Sequence, residues 1–170
     1  MVAGSRHCKN FTITVGTEDL TGKAKSAVRT NLTMQVQEYR PAGREAPIKV
    51  PTGYEILEFE ITLFDINPEV LSMINTRQTI ILREYVQSDD GSQHTYYHEG
   101  FGLVYGEDKG TVENGQGLGE YKFMINLERY TEIFDQKIIK ELNIPRTQTV
   151  VGLIDQAQNI RRILNVGDQT

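Results

Sequence analysis

Cysteine is almost missing from this 170-residue chain: a single one, Cys8, excludes an internal disulfide and a cysteine-built metal site. Long apolar runs are missing as well, and nothing approaches the roughly 20 continuous apolar residues that a membrane helix needs. Residues 1–7 carry charge and polarity without an apolar stretch, which predicts no secretory signal and a cytosolic origin. Basic residues are outnumbered, 18 Lys and Arg against 23 Asp and Glu, for a formal net charge of -5. A nucleic-acid reader neutralises phosphates with a basic surface, so this balance argues against one. It does not argue against a surface past which nucleic acid slides without sticking. The vocabulary of catalysis is equally thin, with no G-x-S-x-G, no Cys–His arrangement and no cluster at metal-ligand spacing. The expectation is a protein with no catalytic residue, no metal and no cofactor.

What is present is strand pattern. At 38% hydrophobic and 24% charged, the composition is that of an ordinary globular domain, and the length fits one. Residues 1–9 read as a flexible leader and 10–170 as a single domain. Phe11, Ile13 and Val15 alternate with Thr12 and Thr14, a strand stopped by Gly16, and 16–29 read as a connection. Leu32, Met34 and Val36 then alternate with Thr33, Gln35 and Gln37. Residues 38–53 hold three prolines, Pro41, Pro47 and Pro51, and read as a long loop of mixed charge.

A ten-residue strand over 55–64 puts Leu57, Phe59, Ile61 and Leu63 on one face, with Glu58, Glu60 and Thr62 on the other. Asn67-Pro68-Glu69 is a helix start, and Val70, Leu71 and Ile74 give the short helix its apolar stripe. A hairpin follows, 79–87 and 94–105 around Asp89-Asp90-Gly91. Residues 106–119 form a second long loop, 121–130 and 134–142 are further strands, and 150–166 read as a terminal helix. Six or seven strands with two helices predict a mainly β (α+β) fold, a β-sandwich or small barrel with a short flanking helix and a C-terminal helix.

Three groups of residues carry candidate chemistry. His94 and His98 lie in a strand, where four residues separate them by roughly 13 Å, too far to share an ion. Gly100-Phe101-Gly102 and Gly115-Gln116-Gly117-Leu118-Gly119 lack the spacing of phosphate loops and read as turn glycines. Glu58 and Glu60 are neighbours on one strand face and read as an exposed acidic surface. The polar faces of the two long strands, Gln35, Gln37, Glu58, Glu60 and Thr62, are free of Lys and Arg. A conduit for nucleic acid requires such a lining.

At Glu38-Tyr39-Arg40, a glycine-containing loop and Ala46-Pro47-Ile48, the sequence resembles the major tail tube proteins of contractile-tailed phages, relatives of R-type bacteriocin tubes. Asp155-Gln156, Ile160-Arg161 and Leu164 match the spacing of that family's closing segment. Pro41-Ala42-Gly43 stands where the family carries adjacent glycines. The resemblance implies hexameric rings stacked into the inner tube of a contractile tail, with strands of six protomers joined in one continuous inner β-barrel. It places 39–53 as the inter-ring loop, with Glu38, Tyr39, Arg40, Gly43, Arg44, Glu45, Pro47 and Lys49 as contact residues. The polar faces above would line the lumen. The implied partners are copies of the chain, sheath, tape-measure, baseplate and tail-terminator proteins, with DNA passing unbound and no membrane. The implied location is the virion, after synthesis in the host cytoplasm. A bacteriocin or a type VI secretion-like machine is the alternative within this class. A small β-barrel enzyme or ligand-binding module using Glu58 and Glu60, or His94 and His98, is the alternative outside it.

Overall fold

The computed structural model of the chain describes residues 5–43, 45–65, 67–111, 120–146, 148–152, 154–155 and 158. The strands are β1 (Arg6–Val15), β2 (Glu18–Asp19), β3 (Ala24–Val28), β4 (Met34–Tyr39), β5 (Ile48–Tyr54) and β6 (Glu58–Leu63). After the helix α1 (Pro68–Leu71) come β7 (Arg77–Ser88), β8 (Gln93–Asp108), β9 (Tyr121–Phe134), β10 (Lys137–Asn143), β11 (Gln148–Val151) and β12 (Ile154–Asp155). The fold is therefore mainly β and antiparallel throughout, as the alternation predicts.

One sheet runs in the order β12-β11-β10-β9-β8-β7-β1-β2, and β6 branches from β9 to carry β3. Strand β9 is the fork. Its first half, Tyr121 to Asn126, pairs with β6, and its second half, Arg129 to Phe134, pairs with β10. Strand β8 pairs with both halves and shifts register at Phe101/Gly102 and again at Val104/Gly106. Such bulges bend a strand and increase its twist. Here they let two arms of the sheet close over one core.

The core follows from the period of two. Leu57, Phe59, Ile61 and Leu63 face Tyr121, Phe123, Ile125 and Leu127, and all are essentially buried. Ile13, Val15, Ile80 and Leu82 complete the same cluster. Each such side chain contributes about 1.5–3 kcal/mol of transfer free energy. Helix α1 is short but well started: Asn67 accepts a hydrogen bond from the Glu69 amide at 3.0 Å, and Val70 docks into the core. Replacing Asn67 with Ala leaves that amide without its partner and is expected to cost about 1 kcal/mol in urea denaturation.

Several sequence expectations are corrected. The stretch 16–29 contains β2 and β3, which carry no clear period because β3 exposes most of its positions. β1 begins at Arg6, so its pairing with β7 starts inside the segment read as leader. The strand expected over 134–142 is the second arm of a β9–β10 hairpin, turned by Asp135 and Gln136, both at positive φ. The terminal helix expected over 150–166 is overturned at its start. Val150 and Val151 lie in β11, Gly152 turns at φ +60°, and Ile154 and Asp155 form β12. The rest of that segment, Gln158 apart, lies outside the described residues, as does the 115–119 glycine cluster. Gly100 and Gly102 are not turn glycines but sit in the middle of β8.

Candidate functional site

The segment read as a long loop is half strand. Among the described residues, β4 and β5 pair only with each other, in register Tyr39↔Ile48, Glu38↔Lys49, Gln37↔Val50 and Val36↔Pro51. Thr52 is the extra residue where the register shifts to Gln35↔Gly53. A bulged, two-stranded ribbon tolerates Pro51 and the positive φ of Gly53, which a central strand would not. The Glu55 amide donates to the Thr33 carbonyl at 2.8 Å and closes the base of the ribbon. Gly43 turns the tip at φ +86°, with Glu45 and Pro47 on the return, while Arg44 lies outside the described residues.

Every residue of β4 is exposed, and no described residue of 34–54 joins the hydrophobic core. Met34 and Val36, on the apolar side of the alternation, are 45% and 51% exposed; Tyr39 and Val50 are 59% and 41% exposed. Alternation made one face of β4 apolar, and among the described residues nothing covers it. A lone two-stranded ribbon is marginal in water. This one carries apolar side chains into solvent at the same time.

The acidic face is built differently from its expectation. In β6, Phe59, Ile61 and Leu63 point inward, Glu58 is exposed and Glu60 half-buried, but Thr62 is only 4% exposed and offers almost no surface. Gln35 and Gln37 belong to the ribbon, a separate sheet from β6, so the protomer does not bring the five polar residues onto one sheet. Nor is the face free of cations once its neighbours are included: Lys122 of β9 places Nζ 3.4 Å from Glu60 Oε1. The Tyr105 hydroxyl donates to Glu58 Oε2 at 2.5 Å, and that bond pushes the phenol up to about 12. Both carboxylates are thus engaged with neighbours. Val28, Ile56 and Phe64, at 54%, 72% and 59% exposure, border this face.

The histidines occupy unlike places. His94 sits near the β7–β8 turn, with Nδ1 2.7 Å from Asp135 Oδ2. His98 is buried: Nδ1 lies 2.8 Å from the Tyr130 hydroxyl, and Nε2 lies 3.2 Å from Glu84 Oε1 without hydrogen-bond alignment. Arg29 reaches Glu84 at 3.5 Å, and Lys140 reaches the buried Glu132 at 3.1 Å. Burial opposes the charge on Glu84, but the imidazole and Arg29 outweigh it and hold the carboxyl below its usual range. Burial also pushes the Tyr130 phenol well up. Sequence reasoning missed this inward polar cluster. Its signal was polar residues at core-facing positions of alternating strands: Glu84 after Ile80 and Leu82, Glu132 after Tyr130.

A protomer whose apolar core is complete, yet which extends an exposed ribbon beyond it, is a building block of a larger structure. Residues 5–164 match the model of phage tail tube protein FII, and the chain belongs to that family. It is a structural subunit of a contractile tail tube, and so a component of a virion or phage-like particle. No curated protein matches the sequence.

Solved structures support the fold. The chain is similar to a chain in the sheath–tube complex of the PVC extracellular contractile injection system in its extended state (14% identity, TM-score 0.53, covering 73% of this chain and 88% of that one). It is also similar to a chain in the sheath/tube terminator of the same system (14%, TM-score 0.57, 78% and 99%). A third match is a chain of the anti-feeding prophage cap, which terminates that particle's tube (13%, TM-score 0.51, 73% and 87%).

Proposed function

We propose that six copies of the chain form a ring and that rings stack into the inner tube of a contractile tail. The observation that carries this reading is the β4–β5 ribbon, a two-stranded sheet of its own whose strand residues are almost all exposed. A ribbon of this kind gains its missing packing from another copy. A patch on one copy that fits a different patch on the next is a head-to-tail contact, and such contacts build a ring where the rotation closes and a helical filament where it does not. The ribbon, with Glu38, Tyr39, Arg40, Gly43, Arg44, Glu45, Pro47 and Lys49, is the inter-subunit and inter-ring element. The lumen is lined by Gln35 and Gln37 from the ribbon and by Glu58 and Glu60 from β6, in one β-barrel continuous across protomers. With Lys122 tied to Glu60, little free positive charge is left there to hold phosphate.

In this reading, tape-measure protein and then DNA pass through the lumen, sheath surrounds the tube, and baseplate and terminator proteins hold its ends. Synthesis takes place in the host cytoplasm, and the chain acts as one domain that β1 extends back from residue 10 to Arg6. The same subunit serves a phage tail, a tail-like bacteriocin or an injection machine, and neighbouring genes distinguish them. Negative-stain microscopy of the purified protein is expected to show rings or tubes. A species that stays monomeric at high concentration in sedimentation would sink the proposal.

A further inference from the structure

The ribbon and the body share one strand register. The β3–β6 ladder ends at Val28↔Glu60, and the β4–β5 ladder begins at Met34↔Tyr54. Between these pairs lie five residues on each side, 29–33 and 55–59, and the bond between Thr33 and Glu55 keeps the same register. The two ladders are therefore stretches of a single long hairpin, parted at a waist. At the waist the two strands go different ways. The second stays on the sheet: Leu57 is buried, and its carbonyl accepts from the Leu127 amide at 2.8 Å. The first leaves the ladder after Val28, and Arg29 reaches Glu84 of β7 at 3.5 Å. Among the described residues, β7 pairs with neither β3 nor β6.

Glu84 is an odd occupant of its place. It follows Ile80 and Leu82 on the inward face of β7, and its side chain is 8% exposed against 51% for Arg29. Burying a carboxylate is costly unless a cation and hydrogen-bond donors meet it. A leucine would continue the core without that penalty. Burial opposes the charge on Glu84, yet His98 and Arg29 hold the carboxyl below its usual range. What the acid adds over a leucine is direction. Apolar packing of Leu32 and Leu57 fixes where the root of the ribbon sits but lets it rock, because such packing is non-directional. A guanidinium meets a carboxylate in only a few orientations.

We infer that Glu84 is a positioning residue for the ribbon: through Arg29 it sets the angle at which β4–β5 leaves the body. The inference rests on the reading of the ribbon as the assembly element. The six residues of β4 make a lever. At about 3.3 Å per residue it is about 20 Å long, so rocking by about 20° carries its end about 7 Å, roughly two residues of a strand. A contact that every copy must repeat does not tolerate a displacement of that size.

A distance measured within one protomer tests the angle without reference to assembly. Spin labels are placed at Gln37→Cys on β4 and Gln93→Cys on β8 in a Cys8→Ser chain. The labelled chain is diluted into unlabelled chain of otherwise identical sequence and read on the smallest species that sedimentation separates. Arg29→Met keeps the stem and removes the fork; Glu84→Gln keeps the shape and removes the charge. Each is expected to broaden the distance distribution roughly twofold. The double variant should be no broader than either single one. His98→Gln alters the same buried cluster, leaves the pair in place and should keep the parent's width. Arg29 is half-exposed, so Arg29→Met decides the matter even where Glu84→Gln does not fold. A parent-like width in Arg29→Met overturns the inference, and so does a His98→Gln chain as broad as Arg29→Met. A parent chain that builds no rings or tubes overturns the assembly reading and leaves the widths to decide the angle. Tubes that grow from Arg29→Met only at roughly tenfold higher concentration than from the parent support both.

Discussion

A chain in which residues 41–52 are replaced by a two-residue turn is expected to fold to the same protomer and to build no tube. The folding half of this expectation rests on the core. None of the described residues of 34–54 joins the buried cluster, and the strands that do close over it keep their partners in the sheet. Shortening a connection changes closure entropy by only about 0.6 kcal/mol per twofold change in length. Thermal or urea unfolding should therefore place the shortened chain within about 1 kcal/mol of the parent.

The assembly half rests on what is removed. The deletion takes the tip, most of β5 and the pairing of Glu38 with Lys49. It also takes Val50 and uncovers the remainder of β4. In the stacked-ring tube proposed above, each contact among protomers would repeat in every ring and every layer, so its loss would multiply along the tube. Losing even about 3 kcal/mol per contact weakens each association by more than a hundredfold. Microscopy and sedimentation of the two proteins at equal concentration decide the matter. Long tubes from the shortened chain would remove the ribbon from the assembly and leave the inter-ring role to another surface.

How far the sequence reaches can be seen element by element. β6 was legible because Phe59, Ile61 and Leu63 recur with a period of two on its inner face, and the α1 cap because Asn67-Pro68-Glu69 is a local signal. The β7–β8 hairpin announced itself through Asp90-Gly91, where Gly91 has φ +84°. β5 was not legible, since Pro51 and Gly53 argue against a strand everywhere except in a bulged edge ribbon. The β9–β10 turn was hidden because Asp135 and Gln136 take positive φ without a glycine. Valines at 150 and 151 fit a helical spacing as well as a strand, and pairing with β10, a long-range choice, decided for the strand.

The candidate site divides in the same way. The family motif and the acidic residues of β6 are local and readable. Whether Met34 and Val36 are covered, whether Thr62 is buried and whether a lysine stands beside Glu60 depend on which strands become neighbours. Alternation in one strand says nothing about that. Lys122 reaches the acidic face from a strand some sixty positions along the chain, a contact visible only once β6 and β9 are paired.

Gly102→Ala is expected to be the most damaging glycine-to-alanine change among the described residues. A Cβ at Gly102 would stand 2.0 Å from the Asn126 carbonyl oxygen and 2.7 Å from Leu127 Cα, both backbone atoms of β9. Side chains can rotate away from a methyl group, but a paired strand cannot without losing its ladder. The site is also where β8 shifts register, and so where the sheet bends toward its core. Overpacking of an interior costs about 1–3 kcal/mol, and a backbone clash lies at the top of that range or beyond. For a chain of this size that lowers the melting temperature by about 6–12 °C. Two neighbouring glycines supply a graded control. At Gly100 the new methyl meets Leu127 Cδ2 at 2.8 Å, a side chain with some room to turn, so a loss of about 1–2 kcal/mol is expected. At Gly106 it meets only the flexible end of Met124 at 2.9 Å, and the loss should stay below about 1 kcal/mol. The order Gly102, Gly100, Gly106 in urea midpoints is the signature of a close approach by backbone. If Gly102→Ala melts within a degree of the parent, β8 does not pass β9 as closely as described, and the bend that gathers the two arms of the sheet has another origin.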